Sequence, residues 1–578
     1  MCSLGTELET GCAVTGHDFS LVDLLLREQV DLSAVERFAQ SHRDHAGLRE
    51  VRNYAAVLPA SPPREGEQYA FEVDLDSCSG CKACVTACHQ LNGLDKGEAW
   101  RNVGLLHGGT PESPVLQHVT TACHHCLDPA CLNGCPVRAY TKDPQTGIVR
   151  HLDDQCIGCQ YCIFACPYDV PKYNRQKGIV RKCDMCSDRL SSGEPPACVQ
   201  ACPHGAIRIT VVGRQEILDS SAANQFLPGA PAPSLTLPTT HYKSRVRLPR
   251  NLLPADYYSV RPEHAHLPLV VMLVLTQLSV GAFLIQWLLR LLGAYDMMPV
   301  GVAVQAAGAL GFGLLALAAS VFHLGRPRYA FRAILGLGSS WLSREILAFG
   351  MFAATAIATA AAIACGFGAA GRFEHLADAL CATVVVFGLA GVFFSVMVYQ
   401  CTGRDYWNGL DTLARFALTT LLLGLATTLV LALAAVGFDP GAGRRIMGAY
   451  GRSLGEALMI VTAAKLLFEL TFFRHLWDMR NTPLKRSALL LASELAPACK
   501  ARFLCGAVGG IALPWVVLNV ASPTTESAAA TALSPGAASL VAAAGLGLLS
   551  LSLAGELCER YLFFAAVVPP RMPGGPTP

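Results

Sequence analysis

The sequence predicts two architectures in tandem: an α+β domain built on cysteine loops, then an all-α polytopic membrane domain of about eight helices. Three observations predict this. Eighteen of the 24 cysteines fall in the first 265 residues. Short alternating segments beside them read as strands: Ala70 to Leu75 (AFEVDL), Gly147 to Arg150, and Ala206 to Val212 (AIRITVV). From residue 266 the chain runs in blocks of ~20 mostly apolar residues, the length that crosses a bilayer. With 52% hydrophobic residues and a mean hydropathy of +0.38, the 578-residue chain is too apolar for one soluble globule. A net charge of +2 provides no field for nucleic acid, and no such partner is expected.

Sixteen cysteines form four groups between Cys78 and Cys202. The first is Cys78, Cys81, Cys84 and Cys88; the third, Cys156, Cys159, Cys162 and Cys166, repeats its C-x2-C-x2-C-x3-C spacing. The second is Cys123, Cys126, Cys131 and Cys135, spaced C-x2-C-x4-C-x3-C. The fourth is Cys183, Cys186, Cys198 and Cys202, spaced C-x2-C-x11-C-x3-C. Pro136, Pro167 and Pro203 follow three of the groups; His89 follows the first. Three cysteines in a tight loop wrap three corners of an iron–sulfur cube, and the fourth points to a neighbouring cluster. The proline turns the chain there, because it fixes φ and lacks an N–H. Four [4Fe-4S] clusters in two interlocked pairs are therefore expected. The repeated spacing suggests a doubled, ferredoxin-like domain. Structural zinc is the competing reading, but a zinc site closes with two C-x2-C pairs and needs neither the other cysteines nor the proline. A disulfide framework suits small secreted domains instead.

In chain order, residues 1–66 form a helical extension, with Leu21 to Gln40 helical and Asp18 or Ser20 as cap. Met1 to Thr10 has neither a basic start nor an apolar run, so no signal peptide is expected there. Cys2 and Cys12 read as ordinary thiols. Residues 67–212 are the four-cluster domain. Lys172, Arg175, Lys177, Arg181 and Lys182 make a basic run before the fourth group, read first as a solvated face and second as an offset to anionic clusters. Residues 213–265 (FLPGAPAPSLTLP and its flanks) form a proline-rich, semi-extended arm. Residues 266–568 are the membrane anchor, and 569–578 a disordered tail.

Eight spans are predicted, at about 267–292, 299–322, 346–369, 378–400, 416–437, 454–473, 502–521 and 537–558. Short connections on the side of the cluster domain carry 14 Lys and Arg against five on the other, which places that domain on the cytoplasmic side of a cell inner membrane. Ionisable groups at membrane depth are costly and mark function. His323 and Arg326 end the second span in HLGRP, and Glu345 begins the third. An imidazole can take a proton from a quinol hydroxyl and a carboxylate can relay it. The bland alternative is interfacial groups reaching water. Lys465 and Glu469 read as an i,i+4 ion pair, and Glu556 stands late in the last span. Beyond residue 266 only His323, His375 and His475 remain, so haem is not expected.

Residues 70–210 resemble the four-cluster subunit of dimethyl sulfoxide reductase-type molybdoenzymes, through CSGCKACVTACHQLN, CHHCLDPACLNGCPVRAY, CIGCQYCIFACPYDVPKYN and KCDMCSDRL...PACVQACPHGAI. Residues 267–568 resemble the anchor subunit of the same enzymes, through HLGRPRYAFRAILGLGSSWLSREI and LAGELCERYLFF. Here the two are one chain, with an unmatched N-terminal extension. The resemblance implies the ligand sets. One cluster takes Cys78, Cys81, Cys84 and Cys202, and its mate Cys183, Cys186, Cys198 and Cys88. A third takes Cys123, Cys126, Cys131 and Cys166, and the last Cys156, Cys159, Cys162 and Cys135. It also implies that the first cluster faces a molybdopterin subunit and the last faces the membrane, and it supports His323 and Glu345 as a quinol site.

The expected function is that of a non-catalytic electron-transfer and anchor component. Menaquinol or ubiquinol from the membrane pool would give electrons through the clusters to a separate S- or N-oxide reductase subunit; no molybdopterin site is expected in this chain. Reverse flow, from formate, hydrogen or a sulfur compound to quinone, is the closest alternative. A ferredoxin-coupled ion pump is a rival of another class, expected to bury charges in consecutive spans.

Overall fold

The computed structural model describes Glu36, Tyr54 and residues 56–574, apart from 294–298, 366–373, 439–446 and 522–534. The helix expected over 21–40 lies outside these, except for Glu36, which is helical.

The cluster domain is an α+β fold of short elements. Strand β1 (Glu67–Asp74) pairs antiparallel with β8 (Ile207–Gly213), from Glu67 opposite Gly213 to Val73 opposite Ile207. Their alternation turns Phe71, Val73, Ile207 and Ile209 into the main core, while Ala70 and Val212 are buried on the opposite face. Strands β2 (Asn102–Thr110) and β3 (Ser113–Thr121) form a hairpin. Two short ladders, β4 (Tyr140–Lys142) with β5 (Val149–His151) and β6 (Lys172–Asn174) with β7 (Ile179–Arg181), complete the doubled pattern. Helices α1 (Ala83–Leu91), α2 (Ala130–Asn133), α3 (Tyr161–Ala165) and α5 (Ala197–Gln200) carry later cysteines of the four groups, and α4 (Ser187–Ser191) starts directly after Cys186.

The four cysteine loops share one backbone device. The residue before the second cysteine is left-handed in every group: Gly80 at φ 74°, His125 at 42°, Gly158 at 71° and Met185 at 61°. Left-handed backbone suits glycine and costs other residues ~1 kcal/mol. His125 and Met185 adopt it nonetheless, so the loop geometry is imposed in all four copies.

The expected semi-extended arm over 213–265 is more structured than its prolines suggest. The segment RQEILDSSA precedes them and forms α6 (Arg214–Ala222). Beyond them β9 (His241–Lys243) adds parallel to β1, and β10 (Leu253–Pro254) adds to β2. The tail also departs from expectation: Met572 is buried in the cluster-domain core, and Arg571 pairs with Asp256. Residues 575–578 lie outside the described residues.

Eight long helical segments follow: α7 (Leu267–Leu291), α8 (Pro299–Val321), α9 (Trp341–Ala364), α10 (Glu374–Gln400), α11 (Gly409–Phe438), α12 (Arg452–Thr471), a pair α14 (Ala496–Ala507) and α15 (Leu513–Ala521) joined by a π turn, and α16 (Pro535–Ala565). Among the described residues, six are long and apolar enough to cross a membrane. The exceptions are α12 and α16, which hold Lys465, Glu469, Glu556, Glu559 and Arg560. An extra helix, α13 (Pro483–Ala492), stands in the loop before α14, capped by Thr482, which accepts from Lys485 N–H.

Helix α7 is the spine, buried along most of its length against α8, α10, α11 and α16. It meets α11 where Gly281 faces Gly424: a Cβ on Gly281 would lie 1.9 Å from the Thr420 carbonyl oxygen. Small residues at such crossings let backbones approach in lipid, where packing replaces the hydrophobic drive. Gly281→Leu is expected to force α7 from α11 and abolish recovery of a monodisperse chain from membranes. Wild-type recovery and melting temperature in detergent would refute the contact's importance.

Candidate iron–sulfur relay and its membrane contact

The folded chain brings the sixteen cysteines together in four sets. Cys78, Cys81, Cys84 and Cys202 line one cavity, of about 300 Å³ empty volume. Cys123, Cys126, Cys131 and Cys166 line a second, of about 370 Å³. Cys88 and Cys183 interact electrostatically with Cys198, and Cys88 also with Cys186. Cys159 and Cys162 interact with both Cys135 and Cys156. Each set takes three cysteines from one loop and one from another. Among the described residues, no three His, Cys, Asp or Glu converge closely enough for a single ion. Thiols spread around a cavity suit a cube; a zinc site needs every sulfur ~2.3 Å from one point.

The surroundings of the sulfurs are donors. His124 and His125 are fully buried beside the second cavity, and neither Nε2 has a partner. His125 Nδ1 accepts from the Val149 N–H, which leaves the proton on its Nε2. Buried Arg101 donates to Thr120 but has no partner for Nε or Nη2, and it interacts with Cys84, Cys88, Cys183 and Cys198. Unpaired buried donors are costly. Anionic sulfide clusters would satisfy them, so the residues present fit the group.

Lys182 corrects the reading of the basic run as a solvated face. It is 3% exposed, donates to the Cys183 carbonyl at 2.8 Å and lies 3.6 Å from Cys123 Sγ. Its ammonium therefore stands between the Cys123 set and the Cys183 set, at the junction of the two cluster pairs. Arg181 also turns inward, to Glu98 at 3.2 Å.

Burial pushes most of the thiols up. Cys126, Cys162 and Cys183 rise well above the ordinary range, and Cys166 and Cys186 rise to about 11. Burial is the largest influence on Cys156 and would raise it too, but the His151 ring and the backbone N–H groups of Val180 and Gly158 together outweigh it and leave this thiol lowered. Metal binding must then displace protons from neutral thiols. Iron loading of the apo-chain is expected to release protons and to weaken as the pH falls from about 9 to about 7. Iron bound per chain across that range checks this; a flat profile would contradict it.

The loop after α8 presses on the loop of the third group. Gly158, Gly178 and Gly325 make the approach possible: a Cβ on Gly325 would lie 2.1 Å from the Gly178 carbonyl oxygen. Arg326 N–H donates to the Ile157 carbonyl at 3.0 Å, and Gly336 N–H to the Pro136 carbonyl at 2.8 Å. Arg332 and Ser340 side chains add bonds to the Asp154 and Gly134 carbonyls.

His323 is held within this contact. Its Nε2 lies 3.0 Å from the Cys159 carbonyl oxygen, so Nε2 carries the proton and Nδ1 keeps a lone pair. Burial lowers its pKa, which keeps the ring neutral. His266 packs edge-on at 4.9 Å between ring centres, and His264 follows at 5.0 Å. Glu345 is buried on α9 and accepts from Ser395 Oγ on α10. It interacts with Tyr161, whose hydroxyl donates to the Val398 carbonyl. His323 and Glu345 thus flank the Cys159–Tyr161 segment from two sides, and among the described residues no hydrogen bond joins them. The Arg326 guanidinium is committed to the Asp153 and Lys177 carbonyls, so it clamps the cluster loop. Sequence reading missed His266, Ser395 and Tyr161; the clue to the first was the pair His264 and His266 just ahead of Leu267, where α7 starts.

The four cysteine loops on a helical bundle define an iron–sulfur electron-transfer subunit carried by a membrane anchor. Residues 115–212 match the 4Fe-4S dicluster domain, and residues 263–439 match the DMSO reductase anchor subunit. The chain is 39% identical over 150 residues to the B subunit of anaerobic dimethyl sulfoxide reductase of Haemophilus influenzae, covering 24% of this chain and 73% of that protein. It is 37% identical over 197 residues to the hydrogenase-2 operon protein HybA of Escherichia coli O157:H7, 30% of this chain and 59% of that one. It is 34% identical over 180 residues to the iron–sulfur subunit of the nitrate-inducible formate dehydrogenase of Escherichia coli K12, 28% of this chain and 61% of that one. The chain belongs to the family of the dimethyl sulfoxide reductase B subunit, fused here to an anchor domain in one polypeptide.

Proposed function

We propose that this chain takes electrons from menaquinol or ubiquinol at the cluster-side face of the membrane. It passes them through four [4Fe-4S] clusters to a separate molybdopterin subunit that reduces an S- or N-oxide. The observation that carries the reading is the 3.0 Å bond from His323 to the Cys159 carbonyl, which ties a neutral buried imidazole to a cysteine loop. His323 Nδ1 is the group that accepts a quinol proton. Glu345 is a second acceptor, held by Ser395, and Arg326 holds the loop that carries His323. The four sets that begin with Cys78, Cys183, Cys123 and Cys156 are the proposed ligands, and the bound clusters supply one-electron steps between donor and catalytic subunit. Arg101, His124, His125 and Lys182 direct donors or positive charge at the sulfurs, which favours the reduced state.

The proposed division is 1–66, 67–212, 213–265, 266–568 and 569–578, with 213–265 structurally part of the cluster domain. The proposed location is the inner membrane, with the cluster domain cytoplasmic. A second reading runs the same module in reverse, from a catalytic subunit to quinone; similarity at 37% and 34% to the HybA and formate dehydrogenase proteins supports it equally.

Anaerobically purified chain mixed with a short-chain quinol tests the first reading: cluster bleaching is expected without any other protein. Clusters that fill but stay oxidised with every quinol, over a range of driving force, would overturn it. Cys159→Ala is expected to damage chiefly the cluster nearest the membrane. Equal loss of all four signals in paramagnetic resonance would assign Cys159 to folding instead.

A further inference from the structure

The second half of the bundle buries charge that the route through His323 does not use. Arg415 lies on α11, Lys465 and Glu469 on α12, and Arg502 on α14. Glu556, Glu559 and Arg560 lie on α16. The side chains are all 10% exposed or less. All but Arg415 lie beyond the segment that matches the anchor family.

In one half of this network every charge has a close partner, although Glu556 Oε1 meets Arg502 without a hydrogen bond. Lys465 donates to Glu556 and Thr419. Arg502 holds Glu469 through two hydrogen bonds, at 2.9 and 2.8 Å, and meets Glu556 at 3.0 Å. That half acts as a clamp between helices. The other half is open. Neither oxygen of fully buried Glu559 has a hydrogen-bond partner; its nearest cations are Arg560 at 3.4 Å and Arg415 at 3.9 Å. Arg415 Nε is also unpartnered, while its guanidinium stacks on Tyr406 at 4.6 Å.

Glu559 and Arg415 line a cavity of about 350 Å³ empty volume, walled by Tyr406, Phe472, Phe473 and Phe503 and shared with the paired Glu469 and Arg502. A buried carboxylate and guanidinium at one end can take and give a hydrogen bond to a single hydroxyl. Aromatic walls hold a flat ring. Water would satisfy the polar end but has no use for the walls, and the two carboxylates and two guanidiniums of the lining (Glu469, Glu559, Arg415, Arg502) balance, which favours a neutral ligand over an ion. Aromatic contacts then run from the cavity to the cysteine loops: Phe472 to Tyr406 at 5.0 Å, Tyr406 to Phe563 at 6.4 Å, Phe563 stacked on Trp407 at 5.4 Å, and Trp407 to Phe164 at 5.6 Å. Phe164 stands between Cys162 and Cys166 on α3.

We propose that this cavity is a second binding site for a quinone or hydroquinone headgroup, with Glu559 and Arg415 as its polar contacts. The inference takes its ligand class from the quinol reading but not its location.

The test uses the full chain in detergent with a photoreactive azido-ubiquinone, followed by peptide mapping. Labelling is expected both near His323 and within 472–503. Glu559→Gln, which keeps the shape, and Leu491→Trp, which fills the cavity from another wall, should each abolish the 472–503 label. His323→Ala should leave it in place. Iron content and monodispersity verify that each variant is folded. Label within 472–503 that survives both variants overturns the site as non-specific contact with the bundle surface. Label near His323 alone overturns the second site and leaves the quinol reading standing. No label in either region overturns both.

Discussion

His323→Ala is expected to abolish electron transfer from quinol to the clusters while leaving all four cluster signals in paramagnetic resonance. The imidazole contributes one hydrogen bond to a backbone carbonyl, at Cys159, and no metal ligand. The loop around it is fixed independently by the Arg326, Arg332, Gly336 and Ser340 bonds. The cluster should therefore assemble without the ring. What is lost is the base at Nδ1, and a positioned base contributes ~10²–10⁴-fold to a proton-coupled step. His323→Gln is the sharper control, because its amide can still donate to the Cys159 carbonyl but cannot serve as a base at neutral pH. Rates within twofold of wild type for both variants would place the donor elsewhere.

Glu556→Ala is expected to be the most destabilising single change in the anchor. Lys465 and Glu556 are each 0% exposed, and Glu556 also faces Arg502. Removing one partner of a buried pair costs ~3–5 kcal/mol, because the remaining charge is uncompensated. The double variant Lys465→Met with Glu556→Gln removes both charges and should be more stable than Glu556→Ala alone, since partners in contact are not additive. Melting temperatures in one detergent compare the two; a double variant at or below the single would contradict the pairing.

The two-part architecture was legible because its signals are local. Cysteine spacing and runs of ~20 apolar residues need no knowledge of the fold. The charges of the second half were not. The i,i+4 spacing pointed to Lys465 with Glu469, and that pair forms at 4.0 Å, but Lys465 makes its closer contact with Glu556, 91 residues away, and Glu469 is also held by Arg502. Lys182 was misread for the same reason: a run of cations looks like a surface until a strand turns one of them inward. Arg326 sat beside His323 in sequence, but its side chain follows the backbone into the cluster domain. His266 carried no periodic signal, since it precedes the helix that brings it to His323.

The return of the C-terminus has a mechanical consequence. Helix α7 leaves the cluster domain, and after α16 the chain comes back to it, where Met572 inserts into the same core that holds Phe71 and Cys84. The bundle is thus stapled to its redox head at both extremities, like a handle riveted twice. One rivet would leave the head free to swivel over the lipid surface. Two, with the glycine contact at Gly325 between them, hold the gap between the bundle and the nearest cysteine loop constant, which electron tunnelling in either direction requires more than affinity does.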